Sequence, residues 1–268
     1  MAGLFDALST TYDGVGVDFF APIGASLLRA LPPRSGERWL DVGCGRGAVL
    51  LPAAAAIGPA GRAVGTDISA AMVASTLERA AAAGLGNVEA RVDDAQTSAL
   101  EPASFDTLSS SLVLFFLADP AAALAGWSRL LVPGGRLGVT TFGPTDPRWQ
   151  EVDDVFAPYL PPGMVDARTT GAVGPFGSDD GMADLVRGAG FVDVATVTDA
   201  IDVRFADADQ WNAFTWSVGQ RQMWLSVPEA ERPAVRAEAG RRLARHAAPD
   251  GSITLSRSVR HTLALTPG

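Results

Sequence analysis

The apolar positions of this chain repeat with two periods, one helical and one alternating, and the two take turns from residue 18 onward. Residues 18–31 carry apolar positions at helical spacing, which predicts an amphipathic helix that closes at Pro32-Pro33. Arg38 to Val42 is a short strand that runs into Gly43-Cys44-Gly45-Arg46-Gly47. A helix is predicted from Ala48 to Ile57, ended by Gly58-Pro59, and then a buried strand from Ala63 to Thr66 with Asp67 at its tip. Ser69 to Ala83 is helical, with Gly84 where a C-cap belongs, and Val88 to Val92 is a third strand that ends at Asp93-Asp94. Phe105 to Phe116 reads as a fourth strand with its exit loop, and Ala121 to Leu131 as a helix. Pro133-Gly134-Gly135 then turns the chain into a fifth strand, Leu137 to Phe142. Strands and helices alternating at this spacing imply an α/β fold with a doubly wound, Rossmann-like, mostly parallel sheet.

After residue 142 the pattern loosens. Residues 143–180 are rich in Gly and Pro and read as an insertion, Gly181 to Ala189 returns to helix, and Phe191 to Phe205 is an extended strand. Two helical segments follow, Asp207 to Trp224 and Glu229 to Ala247, and Ile253 to Leu265 alternates as a last strand. That makes seven strands with an added helical cap. The expected organisation is an N-terminal lid segment over 1–35, a core over 36–142, an insertion over 143–180, a core continuation over 181–206, a cap for the substrate over 207–250 and a final strand over 251–268.

Composition narrows the chemistry. With 47% hydrophobic residues the chain can build a core, and its 268 residues suit one α/β domain with additions. All 21 basic side chains are arginine, which excludes a Lys nucleophile, a Schiff base or a P-loop Lys. Acids outnumber them at 30, for a net charge of -9. Residues 1–200 hold 12 Arg against 23 acids, whereas residues 201–268 hold 9 Arg against 7. So acidic a body repels a phosphate backbone, and nucleic acid is not an expected partner. Cys44 stands alone, so no intramolecular disulfide is expected, and no Cys/His grouping suggests a metal. Met1 to Asp13 lacks a positive leader region, and the apolar run from Ala48 to Ala60 is short and broken by Pro52 and Pro59. A soluble cytoplasmic protein without membrane contact is the expectation.

Asp41-Val42-Gly43-Cys44-Gly45-Arg46-Gly47 is the sharpest motif, set between the first strand and its helix. Glycines there permit a tight turn and remove Cβ atoms where a ligand meets backbone. Asp67, 20 residues beyond Gly47 at the tip of the second strand, can accept both hydroxyls of a ribose. Asp94, at the end of the third strand, is placed to meet an adenine edge. Read as Gly43-x-Gly45-x-x-Ala48, the loop also satisfies the dinucleotide fingerprint, so an NAD(P)-dependent oxidoreductase is the rival. Asp41, however, would repel a diphosphate and suits an amino group, and Gly47 extends the motif beyond that fingerprint.

At these residues the chain resembles a known family. Leu40 to Gly47, Thr66-Asp67-Ile68-Ser69, Asp93-Asp94-Ala95 and Leu130 to Leu137 are similar to successive motifs of class I S-adenosylmethionine-dependent methyltransferases. The branch they resemble most is the small-molecule enzymes related to ubiquinone and menaquinone C-methyltransferases. The likeness covers residues 1–142 well and Gly181 to Thr198 moderately. It implies that S-adenosylmethionine is the cofactor and S-adenosylhomocysteine its product. Asp41 and the amides of Gly43, Gly45 and Gly47 would hold the methionine part, Asp67 with Ile68 the ribose side, and Asp94 with Ala95 the adenine. Tyr12, beside Asp13, matches a family segment that folds over the cofactor, and Ser110 and Ser111 sit where the family faces the transferred methyl. Arg46 stands where many relatives have a small residue and is given no role.

The acceptor is harder to read. His246 and His261 are the two histidines; the first ends a charged helix and the second lies in the last strand, so both have structural explanations. With no His in the insertion, the catalytic residues stay unassigned, and a carbon or heteroatom nucleophile that needs little help is favoured. Three of six Trp lie between Trp211 and Trp224. At helical spacing such residues suit a core, yet Trp216 and Trp224 are the candidates for an apolar pocket wall, with Arg221 pairing with an anionic or carbonyl group. Tyr159 and Phe176 are weaker pocket candidates. Arg232 to Arg245, interleaved with acids, reads as a solvated helix face. The expected partner is a small, largely apolar acceptor, with a homodimer left open. A cofactor-binding protein that has lost methyl transfer is the alternative from another class.

Overall fold

The computed structural model describes residues 15–161 and 174–268. Tyr12 and the first part of the expected lid lie outside them. Helix α1 (Phe20–Ala30) precedes β1 (Arg38–Val42), α2 (Leu50–Ile57), β2 (Arg62–Asp67), α3 (Ala70–Ala82), β3 (Val88–Val92) and β4 (Phe105–Ser111). Then come α4 (Pro120–Leu130), β5 (Leu131–Thr145), α5 (Pro147–Asp153), α6 (Asp179–Gly188), β6 (Val192–Phe205), α7 (Ala208–Ser217), α8 (Arg221–Ser226), α9 (Arg232–Ala244) and β7 (Ile253–Leu265).

The strands form one seven-stranded sheet in the order β3-β2-β1-β4-β5-β7-β6. β1 to β5 are parallel where they pair, while β7 runs antiparallel to both β5 and β6. Helices start where short polar side chains can satisfy free backbone N–H groups. Ser69 accepts from Met72 N, Asp119 from Ala122 N ahead of Pro120, Ser178 from Gly181 N and Asp207 from Gln210 N. Gly84 ends α3 with φ +69°, as its place in the sequence requires.

Two elements differ from the sequence reading. β5 begins at Leu131, straight from α4, rather than after the glycine pair, and absorbs Gly134-Gly135 as an irregularity in its pairing with β4. Gly134 takes φ +70°, which only a residue without Cβ adopts cheaply, so the glycines bend the strand instead of delaying it. The long helix read over Asp207 to Trp224 is two helices, because Val218 takes an extended backbone between them.

Three buried clusters hold the sheet. Leu27, Trp39, Leu50 and Ile57 pack one face under α1 and α2, and Leu108, Leu124, Trp127 and Val186 pack the other under α4 and α6. The third cluster sits over the β6–β7 end, where Trp149, Phe156, Trp211, Phe214 and Trp224 of the added helices meet Val203, Leu255 and Val259. The cap is thus joined to the sheet by a shared apolar core. Among the described residues no helix is long and apolar enough to cross a membrane.

Candidate active site

The carboxyl ends of β1 to β4 open on one side of the sheet, and the order reverses between β1 and β4, where an open α/β sheet leaves a crevice. The glycine loop lies across that crevice. Gly43 N and Cys44 N donate to Thr66 O at 2.7 and 2.9 Å, which pins the loop to the end of β2. A Cβ on Gly43 would stand 2.3 Å from Val113 Cγ2, so this glycine is required by the protein's own packing. Gly45 differs: its φ is +53° and a Cβ would meet nothing within 4 Å. The open space beside it is the cavity.

Asp67 organises the loop. Its Oδ2 accepts from Gly45 N and its Oδ1 from Ser69 N, both at 2.9 Å. A carboxylate at this strand tip is an acceptor-only group, the chemistry that a pair of ribose hydroxyls requires. Asp41 lies beneath, 2% exposed, and accepts from Ser109 Oγ at 2.7 Å. Burial pushes its pKa up to about 7, opposed by the Ser109 and Leu50 hydrogen bonds and assisted by the nearby charge of Asp67. Asp94 Oδ1 accepts from Gln96 N, a short turn that holds the end of β3 beside Ala95. Ile68 and Phe116, among the few large apolar side chains left exposed, both line the same cavity. Leu112 follows Ser111 with φ +60°, a strained backbone for a leucine, and it too lines the cavity.

This cavity has a volume of about 390 Å³. Asp41, Gly43, Gly45, Asp67, Ile68 and Asp94 line it, as do Ala95 and Ser111. Eight of the residues read from the motifs therefore converge. Gly47 stands behind, its Cα held against Leu51. Ser110 points elsewhere, donating to Val42 O at 3.0 Å within the core.

The far wall is not the one expected. Trp224 is 1% exposed; it donates from Nε1 to Thr215 Oγ1 and stacks on Trp216 at 5.6 Å, inside the cap core. The Arg221 guanidinium lies over the Trp216 ring at 5.9 Å, and Tyr159 donates to Glu231 at 2.7 Å. None of these four lines the cavity, because the break at Val218 turns α8 so that Trp224 faces inward against Phe156. The wall is instead made by Phe19, Phe115, Phe142, Trp149, Met223 and Arg257. One of these carried a legible signal: Arg257 interrupts an inward-facing row of Ile253, Leu255 and Val259 on β7. Phe176 lies outside the cavity, edge-on to Phe115.

The remaining candidates are structural. His261 is 1% exposed between Ser26 Oγ and Thr140 Oγ1, each at 2.9 Å, and burial lowers its pKa to about 4, so the ring is neutral. His246 pairs with Glu151 at 2.9 Å, away from the cavity. Burial pushes the Cys44 thiol up, and its sulfur fills space against Gly65 rather than acting as a nucleophile. Among the described residues no His, Cys, Asp and Glu side chains group as metal ligands.

Comparison with known proteins agrees with this geometry. Residues 40–139 match the methyltransferase domain family model. The chain is 40% identical over 269 residues to nocamycin O-methyltransferase from Saccharothrix syringae, covering 96% of this chain and 95% of that protein. It is 42% identical over 137 residues to the aklanonic acid methyltransferase DauC from Streptomyces, covering 51% of this chain and 62% of that protein. Phosphoethanolamine N-methyltransferase 2 from Haemonchus contortus, solved with S-adenosylhomocysteine, shares the fold at a TM-score of 0.56 and 19% identity, over 91% of this chain and 53% of that one. The dinucleotide oxidoreductase reading is overturned by these matches: the glycine loop, its two flanking carboxylates and near full-length relatedness make this chain a class I S-adenosylmethionine-dependent methyltransferase of the small-molecule kind.

Proposed function

We propose that the chain methylates an oxygen of a small, largely apolar metabolite, as a cytoplasmic enzyme of bacterial specialised metabolism. The observation that carries this reading is the continuity of the cavity, which runs from Asp41 and Asp67 at the glycine loop to Phe142 and Trp149 under the cap. An acceptor can therefore reach the cofactor without either leaving the protein. Two relatives are named for O-methylation of nocamycin and methylation of aklanonic acid, which supports an acceptor of that kind.

S-adenosylmethionine, when bound, supplies a methyl group already activated on a sulfonium. The residues fit it. The Gly45 amide edge is free of any Cβ, Asp67 lines the cavity with a carboxylate suited to ribose hydroxyls, and Asp94 with Ala95 borders the space suited to the adenine. Ile68 and Phe116 offer apolar faces to that ring. Asp41 and Ser111 stand toward the methionine part, Asp41 supplying negative charge to an ammonium. The protein's own work is then alignment and exclusion of water rather than proton transfer. Incubation with S-adenosylmethionine and a set of apolar phenols and aromatic acids, aklanonic acid included, checks this by mass spectrometry and by locating the new methyl. O-methyl products are expected; products methylated only on carbon or nitrogen would refute it.

A further inference from the structure

Charge is divided across the cavity. The carboxylates Asp41, Asp67, Asp93 and Asp94 all sit at the ends of β1, β2 and β3. The opposite wall, built on β5, β7 and α5, holds one charged side chain that lines the cavity among the described residues, Arg257. Arg46 and Arg79, which also line it, belong to the glycine loop and α3, where they bond Ser75 and the Arg46 carbonyl.

Arg257 occupies an inward position of β7 between Leu255 and Val259. Its guanidinium carbon stands 4.4 Å from the Phe142 ring centre and 5.0 Å from that of Trp149. Its Nε is buried with no hydrogen-bond partner, and so is Nε1 of the neighbouring Trp149. Asp153 lies close enough to favour the charge, but it is held by Gln220 Nε2 at 2.7 Å and forms no ion pair with Arg257 among the described residues. Leaving such donors buried and unsatisfied is costly, and a buried cation more so. Aromatic faces offset part of that cost and leave the fork of N–H groups unused.

From this geometry, and resting on the methyltransferase reading above, we infer that Arg257 binds an oxyanion of the acceptor, a carboxylate or an ionised acidic hydroxyl, and selects acceptors that carry one. The same oxyanion explains how the enzyme works without a histidine in the cavity. The oxygen forms its bond to the methyl carbon with its own lone pair while the carbon–sulfur bond breaks and its electron pair goes to sulfur. The oxygen loses its negative charge, the sulfonium its positive charge, and no proton moves. Because the anion is consumed, the grip of Arg257 is strongest on the acceptor and weakest on the neutral ester or ether. It therefore serves acceptor binding and product release rather than the barrier itself.

The test uses the full chain with S-adenosylhomocysteine, titrated by calorimetry with anthracene-2-carboxylate, 1-naphthoate and their methyl esters. Wild type should bind at least one acid about tenfold or more tightly than its ester. Arg257→Met should erase that preference, Arg257→Lys should keep part of it, and all three proteins should bind S-adenosylhomocysteine alike. Equal affinity of wild type for acids and esters, an acid preference that survives in Arg257→Met, or no binding of any probe would overturn the inference while leaving the methyltransferase intact. Failure of wild type to bind S-adenosylhomocysteine would overturn both.

Discussion

Replacing Asp41 with Asn separates what this carboxyl does for the fold from what it does for the cofactor. In the folded chain its pKa stands at about 7 instead of 3.8, chiefly because burial removes it from water. The sign follows from linkage: the folded state holds the proton more tightly than the unfolded chain, so stability is fully present below pH about 4 and falls as pH rises towards 7. At about 1.36 kcal/mol per pKa unit, the two pKa values imply that wild type loses about 2–3 kcal/mol between pH 5 and pH 8 through this group. Asparagine does not titrate. It keeps an oxygen for Ser109 but sets an NH₂ near the Leu50 amide, a fixed cost of about 1–3 kcal/mol that does not depend on pH. The difference between the two proteins is thus the informative quantity. Urea unfolding of both at pH 5, 6.5 and 8, without cofactor, should show Asp41→Asn gaining about 2–3 kcal/mol on wild type across that range. Parallel profiles would refute the account of Asp41 as a carboxyl held neutral by burial. Cofactor affinity should move the other way: an ionised Asp41 attracts the ammonium, so wild-type affinity falls as pH drops below about 7, whereas that of Asp41→Asn is lower and flat in calorimetry.

Other consequences are direct. Asp67→Ala removes the acceptor that ties Gly45 to Ser69, so S-adenosylmethionine affinity should fall by about a hundredfold with two charge-assisted bonds lost; unchanged calorimetric binding would remove Asp67 from the site. Arg221→Ala should leave the acceptor KM within about twofold of wild type, because its guanidinium covers Trp216 outside the cavity; a large rise would restore the role its sequence position suggested. Extensive dialysis against EDTA should leave the rate unchanged, since among the described residues no metal-ligand group forms; a loss restored by a divalent ion would refute this.

Legibility in the sequence followed the range over which each feature is determined. The glycine loop, Asp67 and Asp94 could be placed because a parallel strand that ends in a turn sends the next residues to one edge of the sheet, whatever packs around it. Caps at Ser69, Asp119 and Asp207 are equally local, each a side chain meeting an amide three residues on. The cap was different. Whether Trp216 and Trp224 face a ligand or one another depends on the backbone at Val218, where one extended residue turns α8 and buries Trp224. No periodicity crosses such a break, so a continuous helical reading aimed the tryptophans and Arg221 at the wrong side. The far wall of the cavity is drawn from elements far apart in the chain: Phe19 before α1, Phe142 in β5, Trp149 in α5 and Arg257 in β7. Only packing brings them together, and each alone looks like core. Arg257 is the exception, since a strand whose inward row reads Ile253, Leu255, Arg257, Val259 must leave a cation among apolar side chains. In a chain without lysine, arginine is the permanently charged side chain left to pair with an anion. The break in that alternation places one arginine in the cavity, on the wall facing the acidic strand ends.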